Sequence, residues 1–153
     1  MKVLENKIPP PLIATVCGLF MWVLSLATPA IEITITVRVI AVTLALLTGM
    51  MFCLAGVLSF KRAKTTVNPL KPQSASALVD SGVYRITRNP MYVGFALGLL
   101  AWSFYLASPW TLTGIFVFIV YMNRFQIEPE ERALLSLFGA EYSQYQARAR
   151  RWL

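Results

Sequence analysis

The chain has 153 residues, of which 57% are hydrophobic and only 14% are charged. This composition is too apolar for a water-exposed surface, so it excludes an ordinary soluble domain and favours a membrane protein. The net charge of +7 comes without a nucleic-acid-binding motif. We therefore expect anionic membrane lipids, and no nucleic acid, as partners of the basic residues.

Four apolar stretches approach the roughly 20 residues that a transmembrane helix needs. They are residues 12–28, 36–60, 91–107 and 110–127. Arg38 interrupts the second stretch near its start, where we expect it to reach the interface and lie close to Glu32. Cys17 and Cys53 fall within apolar stretches, so the sequence indicates neither a disulfide nor a metal site.

The basic residues predict the orientation. They cluster before the first stretch, between the second and third, and after the fourth. If all four stretches cross the bilayer, these clusters lie on one side, which the positive-inside rule makes cytoplasmic. We expect both termini there, in the inner membrane of a prokaryote or the endoplasmic reticulum of a eukaryote.

The predicted fold class is all-α, a polytopic single membrane domain over residues 1–153. Its parts are two transmembrane helices (1–60), a cytoplasmic loop (61–90), a transmembrane hairpin (91–127) and a cytoplasmic helical tail (128–153). Apolar residues such as Leu78 make the loop too apolar for disorder, so it is expected to fold back over the helix ends. Gly94 and Gly98, four residues apart, predict close helix approach within the membrane.

The tail is expected to contain two helices. Pro129 suits the first turn of the first, and Gly139 suits its end. The second helix presents an apolar stripe that can lie on the membrane surface or on the hairpin. This stripe consists of Tyr142, Tyr145, Ala149 and Trp152, and the arginines expected to face lipid headgroups are Arg148, Arg150 and Arg151.

The candidates for chemistry form two polar clusters that the hairpin brings together. The chain has no histidine, which excludes a histidine triad, and it has no Walker or dinucleotide-binding motif. The clusters are Tyr84, Arg85, Arg88, Asn89 and Tyr92, and Arg124, Glu128, Glu130, Glu131 and Arg132. Two interpretations remain open: Arg88 and Arg124 pair with Glu130 and Glu131 as structural anchors, or the charges bind a zwitterionic ligand.

Residues 78–94, followed by Glu130-Glu131, Leu134, Phe138-Gly139, Tyr142 and Tyr145, resemble the isoprenylcysteine carboxyl methyltransferase family and the related phospholipid methyltransferases. The resemblance covers roughly residues 61–153. It implies that S-adenosylmethionine is bound by the hairpin, the preceding loop and the tail, while a lipophilic substrate enters from the membrane.

The resemblance also implies roles for individual residues. The implied cofactor-binding residues are Ser76, Ala77, Leu78, Val79, Tyr84, Asn89, Pro90, Met91, Tyr92 and Glu130. A carboxylate at Glu130 suits the cofactor's ammonium group, and Leu78, Val79 and the tyrosines suit adenine. Arg88 and Arg124 are candidates to hold the cofactor's carboxylate or an anionic substrate group. With Glu131, they are the catalytic candidates.

Two departures from the family bear on the substrate. Asn89 stands where many members have histidine, and Ser76 also differs from the prenylcysteine enzymes. An anionic acceptor, carboxylate or thiolate, needs no base, whereas a lipid amine would need Glu130, Glu131 or a tyrosine to remove its proton. We therefore rank the anionic acceptor first.

Two alternatives to a methyltransferase remain. They are a sterol-reductase-like enzyme using NADPH, which the paired glutamates disfavour, and a non-catalytic membrane adaptor.

Overall fold

In a computed structural model of the chain, residues 5–63 and 77–153 are described. Over these ranges the fold is all-α, as predicted, with one isolated bridge between Thr87 and Arg150 and no β-strand. The α-helices are α1 (Pro10–Ala27), α2 (Ile35–Arg62), α3 (Pro90–Leu106), α4 (Leu112–Met122) and α5 (Glu128–Arg148). Short 3-10 helices cover Gly82–Arg85 and Pro109–Thr111, and a π-helical turn covers Asn123–Ile127.

Proline opens several of these helices. Pro10, Pro90 and Pro109 each stand at the start of a helical segment, and Pro129 lies in the first turn of α5. Proline suits this position because the missing N–H would have no partner there and its fixed φ is already helical. The helix starts are thus encoded locally, including the start of α3, where the predicted site begins.

Within residues 5–63 and 77–153, two helices are long and apolar enough to cross a membrane. They are α1, with a mean hydropathy of 1.8, and α2, with a mean hydropathy of 2.2. Both expose many large apolar side chains, such as Leu26 and Ile35, which water would not favour. α3 has 17 residues and α4 has 11, so the predicted third and fourth crossings use shorter helices, and four crossings remain a prediction.

Glycine allows α2 and α3 to pack closely. A Cβ added at Gly94 of α3 would lie 2.3 Å from Sγ of Cys53 and 2.7 Å from the carbonyl oxygen of Gly49, both on α2. The close approach predicted at Gly94 is therefore confirmed. A Cβ at Gly49 would also lie 3.6 Å from the backbone N of Gly98, so α2 approaches the backbone there too. A Cβ at Gly98 itself would meet nothing within 4 Å, so its side-chain position faces open space.

The N-terminal residues and the tail lie at the same end of the helix bundle. The backbone N–H of Asn6 donates to the carbonyl of Phe125 at 3.0 Å, and Glu5 pairs with Arg132 at 2.5 Å. At the other end, the N–H of Ile31 donates to the carbonyl of Ala107 at 2.7 Å. The ends of the described chain thus share one side of the bundle.

Arg38 has a different partner from the one predicted. Its guanidinium donates to the carbonyl oxygen of Tyr105 and lies 5.3 Å from the centre of the Tyr105 ring. Tyr105 thus takes the place predicted for Glu32. The ring offers a cation–π contact, which suits an arginine at the edge of an apolar bundle.

The tail bends at Gly139, as the sequence predicts. There φ is 51° and ψ is −121°, a backbone conformation essentially restricted to glycine, and it separates two helical halves of α5. Beyond the bend, Tyr142, Tyr145 and Ala149 are buried against Val79 and Tyr84 of the loop. These three residues of the stripe therefore cover the described part of the loop, while Trp152 packs against the apolar cluster of the hairpin, as one of the two predicted positions required.

The close α2–α3 contact predicts different effects of adding a methyl group at the two glycines. Gly94→Ala forces α2 and α3 apart and should destabilise the protein by about 1–3 kcal/mol. Gly98→Ala adds a side chain in open space and should be neutral or slightly stabilising. Thermal unfolding in detergent, followed by tryptophan fluorescence, measures both. Equal melting temperatures for the two variants would contradict the packing.

Candidate active site

A carboxylate at the junction of the hairpin and the tail forms the centre of the candidate site. Oε1 of Glu130 accepts hydrogen bonds from the Tyr92 hydroxyl and from Nε2 of Gln126, each at 2.6 Å. Tyr92 lies in the first turn of α3, Gln126 in the π-helical turn and Glu130 in the first turn of α5. Three parts of the fold thus meet at one carboxyl group.

The π-helical turn helps to place these groups. Such turns add a residue to a helical turn and occur frequently at functional sites. Here the turn covers Asn123–Ile127 and joins α4 to α5 without a loop. Gln126 and Glu130 are four residues apart, so their side chains lie on the same side of the helix and can bond.

Burial changes the acid–base properties of Glu130. Withdrawal from water raises the pKa of its carboxyl group to about 7, although the hydrogen bonds from Tyr92 and Gln126 act in the opposite direction. The neighbouring Glu131 adds a smaller upward contribution. Glu130 therefore exchanges a proton near neutral pH, and a positively charged ligand would favour its ionised form.

The neighbouring Glu131 is fully engaged by arginines. Its Oε1 lies 2.8 Å from Nη2 of Arg88, and its Oε2 lies 2.6 Å from Nη2 of Arg151. Nε of Arg151 donates to Oε1 as well, at 3.1 Å. The Arg88 and Glu131 side chains are only 12% and 13% exposed. Because this pair is withdrawn from water, breaking it would be costly.

Arg88 also binds the end of the tail. Nη1 donates to the carbonyl of Gln146 at 3.1 Å and to that of Ala149. These carbonyls lie at the C-terminus of α5, where the helix dipole favours a positive charge. Nε of Arg88 is buried without a partner among the described residues. A buried donor of this kind favours an acceptor from outside the described residues.

Residues 149–152 cross the start of α3. Nδ2 of Asn89 donates to the carbonyl of Arg151 at 2.8 Å, and the backbone N–H of Arg88 donates to the carbonyl of Arg150 at 2.8 Å. Nε1 of Trp152 donates to Oδ1 of Asn123 at 2.9 Å. This segment therefore connects the start of α3 with the π-helical turn.

The loop residues predicted to bind the cofactor lie beside this centre. Val79 and Tyr84 are buried against the tail, and the carbonyl of Tyr84 accepts a hydrogen bond from the Tyr145 hydroxyl at 2.8 Å. Burial, then Tyr145, then Glu130 raise the pKa of Tyr84 above its usual value. Ala149, which packs with Val79 and Tyr84, also accepts a hydrogen bond from Arg88, so the loop lies beside this arginine.

The remaining predicted cofactor residues have these positions. Ala77 and Leu78 precede Val79 and are partly buried, Asn89 and Pro90 are buried at the start of α3, and Met91 is partly buried beside them. Ser76 lies outside the described residues.

Two arginines differ in position from the prediction. Arg124 does not pair with Glu130 or Glu131: Nη1 binds Glu128 at 2.8 Å, and both side chains are substantially exposed. Arg124 and Glu128 are four residues apart on a helix, which places their side chains on the same side and explains why they pair. Arg151 was expected at the headgroups but is drawn inward by Glu131, whose hydrogen bond also raises the pKa of Arg151. Only Arg88 follows the predicted pairing of arginine with glutamate.

Three residues of the site were not predicted to belong to it: Gln126, Arg151 and Asn123. For Gln126 the signal was present, since it stands one helical turn before Glu130. Arg151 and Asn123 are distant in sequence from their partners Glu131 and Trp152. Their contacts depend on the bend at Gly139, whose angle the sequence does not specify.

The ion pairs of Glu131 and Glu128 provide a matched test. Glu131→Gln leaves Arg88 with an uncompensated charge in a largely dry environment, and we expect a loss of about 3–5 kcal/mol of stability. Glu128→Gln breaks the exposed pair with Arg124 and should cost less than about 1 kcal/mol. Unfolding of the detergent-solubilised variants measures both. A loss for Glu128→Gln as large as that for Glu131→Gln would contradict the assignment.

Comparisons with known proteins point to one family. The family model described as "Phospholipid methyltransferase" matches residues 37–141, from the first turns of α2 into the second half of α5. No solved structure matches significantly. The matched range contains Tyr92, Arg88, Glu130 and Glu131, but not α1 or residues 142–153.

Two curated proteins are similar to parts of the chain. An uncharacterized protein of Haemophilus influenzae is 44% identical over 63 residues, which is 41% of this chain and 100% of that protein. The protein-S-isoprenylcysteine O-methyltransferase of Saccharomyces cerevisiae is 36% identical over 76 residues, 49% of this chain. The match spans 31% of the yeast protein's length. Because the family model matches more than half of this chain, the chain belongs to the phospholipid methyltransferase family.

Proposed function

We propose that this protein is an integral membrane methyltransferase that uses S-adenosylmethionine to methylate a lipophilic acceptor at the cytoplasmic face of its membrane. Residues 1–153 form a single domain that crosses the bilayer four times, with both termini in the cytoplasm. Membership of the phospholipid methyltransferase family supports the reaction. The apolar helices α1 and α2 support the membrane setting, and the clustering of arginines and lysines along the sequence supports the orientation.

The observation that carries this proposal is the partly buried carboxyl group of Glu130 at the junction of α3, the π-helical turn and α5. Burial of an acid costs free energy, and the pKa of about 7 reflects that cost. A structural role alone would be served better by a neutral side chain, such as glutamine. An ammonium group placed beside Glu130 would instead stabilise its charge.

The residues present fit S-adenosylmethionine. Glu130 suits its ammonium group, and the orphaned Nε of Arg88 suits its carboxylate. Leu78, Val79 and Tyr84 offer apolar and aromatic surface for adenine. When bound, the cofactor supplies an electrophilic methyl group on a sulfonium. The protein would bind and orient the cofactor and the acceptor, and would exclude water from the site.

The side chains of the site favour an anionic acceptor. A carboxylate or thiolate carries its lone pair at neutral pH, so no residue has to remove a proton first. A lipid ammonium would need a base, yet Glu131 is engaged by Arg88 and Arg151, and Glu130 already accepts two hydrogen bonds. The name of the yeast relative specifies transfer to oxygen, which supports a carboxylate. We therefore propose a carboxylate or thiolate before a lipid amine.

Calorimetric titration of S-adenosylmethionine and its demethylated product into detergent-purified protein tests the cofactor. We expect saturable binding of both ligands. Glu130→Ala removes a charge-assisted contact and should weaken binding by at least about tenfold. Tyr92→Ala should also weaken binding, because Tyr92 holds the Glu130 carboxylate. The exposed Glu128→Ala variant is the matched control and should bind as the wild type does.

The same titration separates the competing functions. NADPH is the control ligand, and binding of NADPH alone would favour a reductase. Failure of the wild-type protein to bind any of the three ligands would favour an adaptor without turnover. Either result would overturn the methyltransferase proposal.

A further inference from the structure

Gln126 places a neutral amide against the carboxyl group of Glu130. The residue is only 2% exposed, and its Nε2 donates to Oε1 of Glu130 at 2.6 Å. Burying an amide costs free energy unless its polar atoms are hydrogen bonded. A bond to an ionised acid is also stronger than a bond between neutral groups. Gln126 therefore favours the ionised form of Glu130 over the protonated form.

Two donors reach the same oxygen of Glu130. The Tyr92 hydroxyl donates to Oε1 from the first turn of α3, and the Gln126 amide donates to it from the π-helical turn. Because hydrogen bonds are directional, two donors from different elements fix the orientation of the carboxyl group. No described residue donates to the second oxygen, Oε2. Oε2 is therefore the oxygen that a bound cation would meet.

Both donors to Glu130 are uncharged, and this distinguishes it from Glu131. The charge of Glu131 is compensated by Arg88 and Arg151. A lysine or arginine at position 126 would stand four residues before Glu130 on the same side of the helix, and would pair with it in a similar way. Glutamine orients the carboxylate and leaves its charge for a ligand.

The π-helical turn separates a charged side chain from a neutral one. The N–H of Glu128 donates to the carbonyl of Asn123, which closes the turn over five residues. Within this turn Arg124 is exposed and pairs with Glu128, whereas Gln126 is buried against Glu130. The turn thus keeps the arginine away from the carboxylate and directs the amide towards it.

We propose that Gln126 is a positioning residue, which holds the Glu130 carboxylate ready for the ammonium group of the cofactor without forming an ion pair with it; this rests on the proposed function. Gln126 itself does not contact the reacting atoms. Its substitution should change cofactor binding through Glu130, and the effect should depend on pH in a way that a structural defect would not reproduce.

The other groups that face Glu130 come from the loop, α3 and α5. Burial raises the pKa of Tyr84 and of Tyr142, and Glu130 acts in the same direction on both. These tyrosines therefore stay protonated between pH 6 and pH 8. The complete set is Tyr84, Tyr92, Tyr142 and Glu131, the last with its partners Arg88 and Arg151.

Calorimetric binding of S-adenosylmethionine between pH 6 and pH 8 tests this role. Gln126→Met keeps the size of the side chain and removes the donor. The hydrogen bond from Gln126 lowers the pKa of Glu130, so its loss should raise that pKa by about one pH unit. Less Glu130 is then ionised at a given pH. We expect affinity to fall about tenfold at pH 6 but only about twofold at pH 8.

Two controls separate positioning from general damage. Gln144→Met makes the same change at an exposed position of α5 and should leave binding unchanged at every pH. In a Glu130→Gln background, Gln126→Met has no carboxylate to hold and should cause no further loss of binding.

Gln126→Lys separates the donor from its charge. The lysine keeps an N–H donor but pairs with Glu130 and competes with the ammonium group of the cofactor. We expect a loss of about tenfold at pH 8 that becomes smaller towards pH 6, where protons already compete in the wild type. The pH trend of Gln126→Lys is thus opposite to that of Gln126→Met.

Thermal unfolding followed by tryptophan fluorescence shows which variants fold. If Gln126→Met does not, Gln126→Asn replaces it, because its amide ends about 1.5 Å short of Oε1. A loss of affinity that is equal at all pH values, a further loss in the Glu130→Gln background, or wild-type affinity of Gln126→Lys at pH 8 would overturn the role of Gln126. Absence of cofactor binding by the wild type at every pH would instead refute the proposed function, so the two failures are distinguishable.

Discussion

The ion pairs of Glu131 with Arg88 and Arg151 are the interaction on which the arrangement of the site depends. Arg88 precedes α3, Glu131 lies in the first turn of α5, and Arg151 follows the end of α5. One carboxylate thus joins three segments distant in the sequence. Two arginines facing one acid leave an excess positive charge, which the carbonyls at the C-terminus of α5 partly offset by accepting from Arg88. With Glu131 committed in this way, Glu130 is the glutamate of the two that forms no ion pair with the described arginines and lysines.

This division of roles explains why two adjacent glutamates differ in chemistry. Glu131 pairs with two arginines, whereas among the described residues Glu130 accepts from the neutral donors Tyr92 and Gln126 and is withdrawn from water. Successive residues of a helix point in different directions, so each acid meets a different environment. The framework behind them is rigid, because Gly94 allows α3 to pack directly on α2. The packing of α3 on α2 therefore fixes the position of Tyr92 in the first turn of α3.

Much of the fold could be predicted from the sequence because its signals are local. Apolar stretches gave the helices, Pro90 and Pro129 marked helix starts, and Gly139 marked the bend. The site was harder to predict, because its contacts depend on the direction that the chain takes after the bend at Gly139. Arg151 was therefore placed at headgroups, and Arg124 was paired with the wrong glutamates, although its spacing from Glu128 already favoured an exposed helical pair. The predicted roles of the site residues in binding and catalysis remain predictions.

The most direct test of the account is the pH dependence of S-adenosylmethionine binding. If Glu130 holds the ammonium group in its ionised form, protons compete with the cofactor below the pKa of about 7. Affinity should then rise up to about tenfold per pH unit below that value and level off above it. Calorimetry between pH 6 and pH 8 measures this for the wild type and for Glu130→Gln, which should bind weakly and without this dependence. Wild-type binding that is independent of pH, or a Gln variant that binds equally well, would contradict the account.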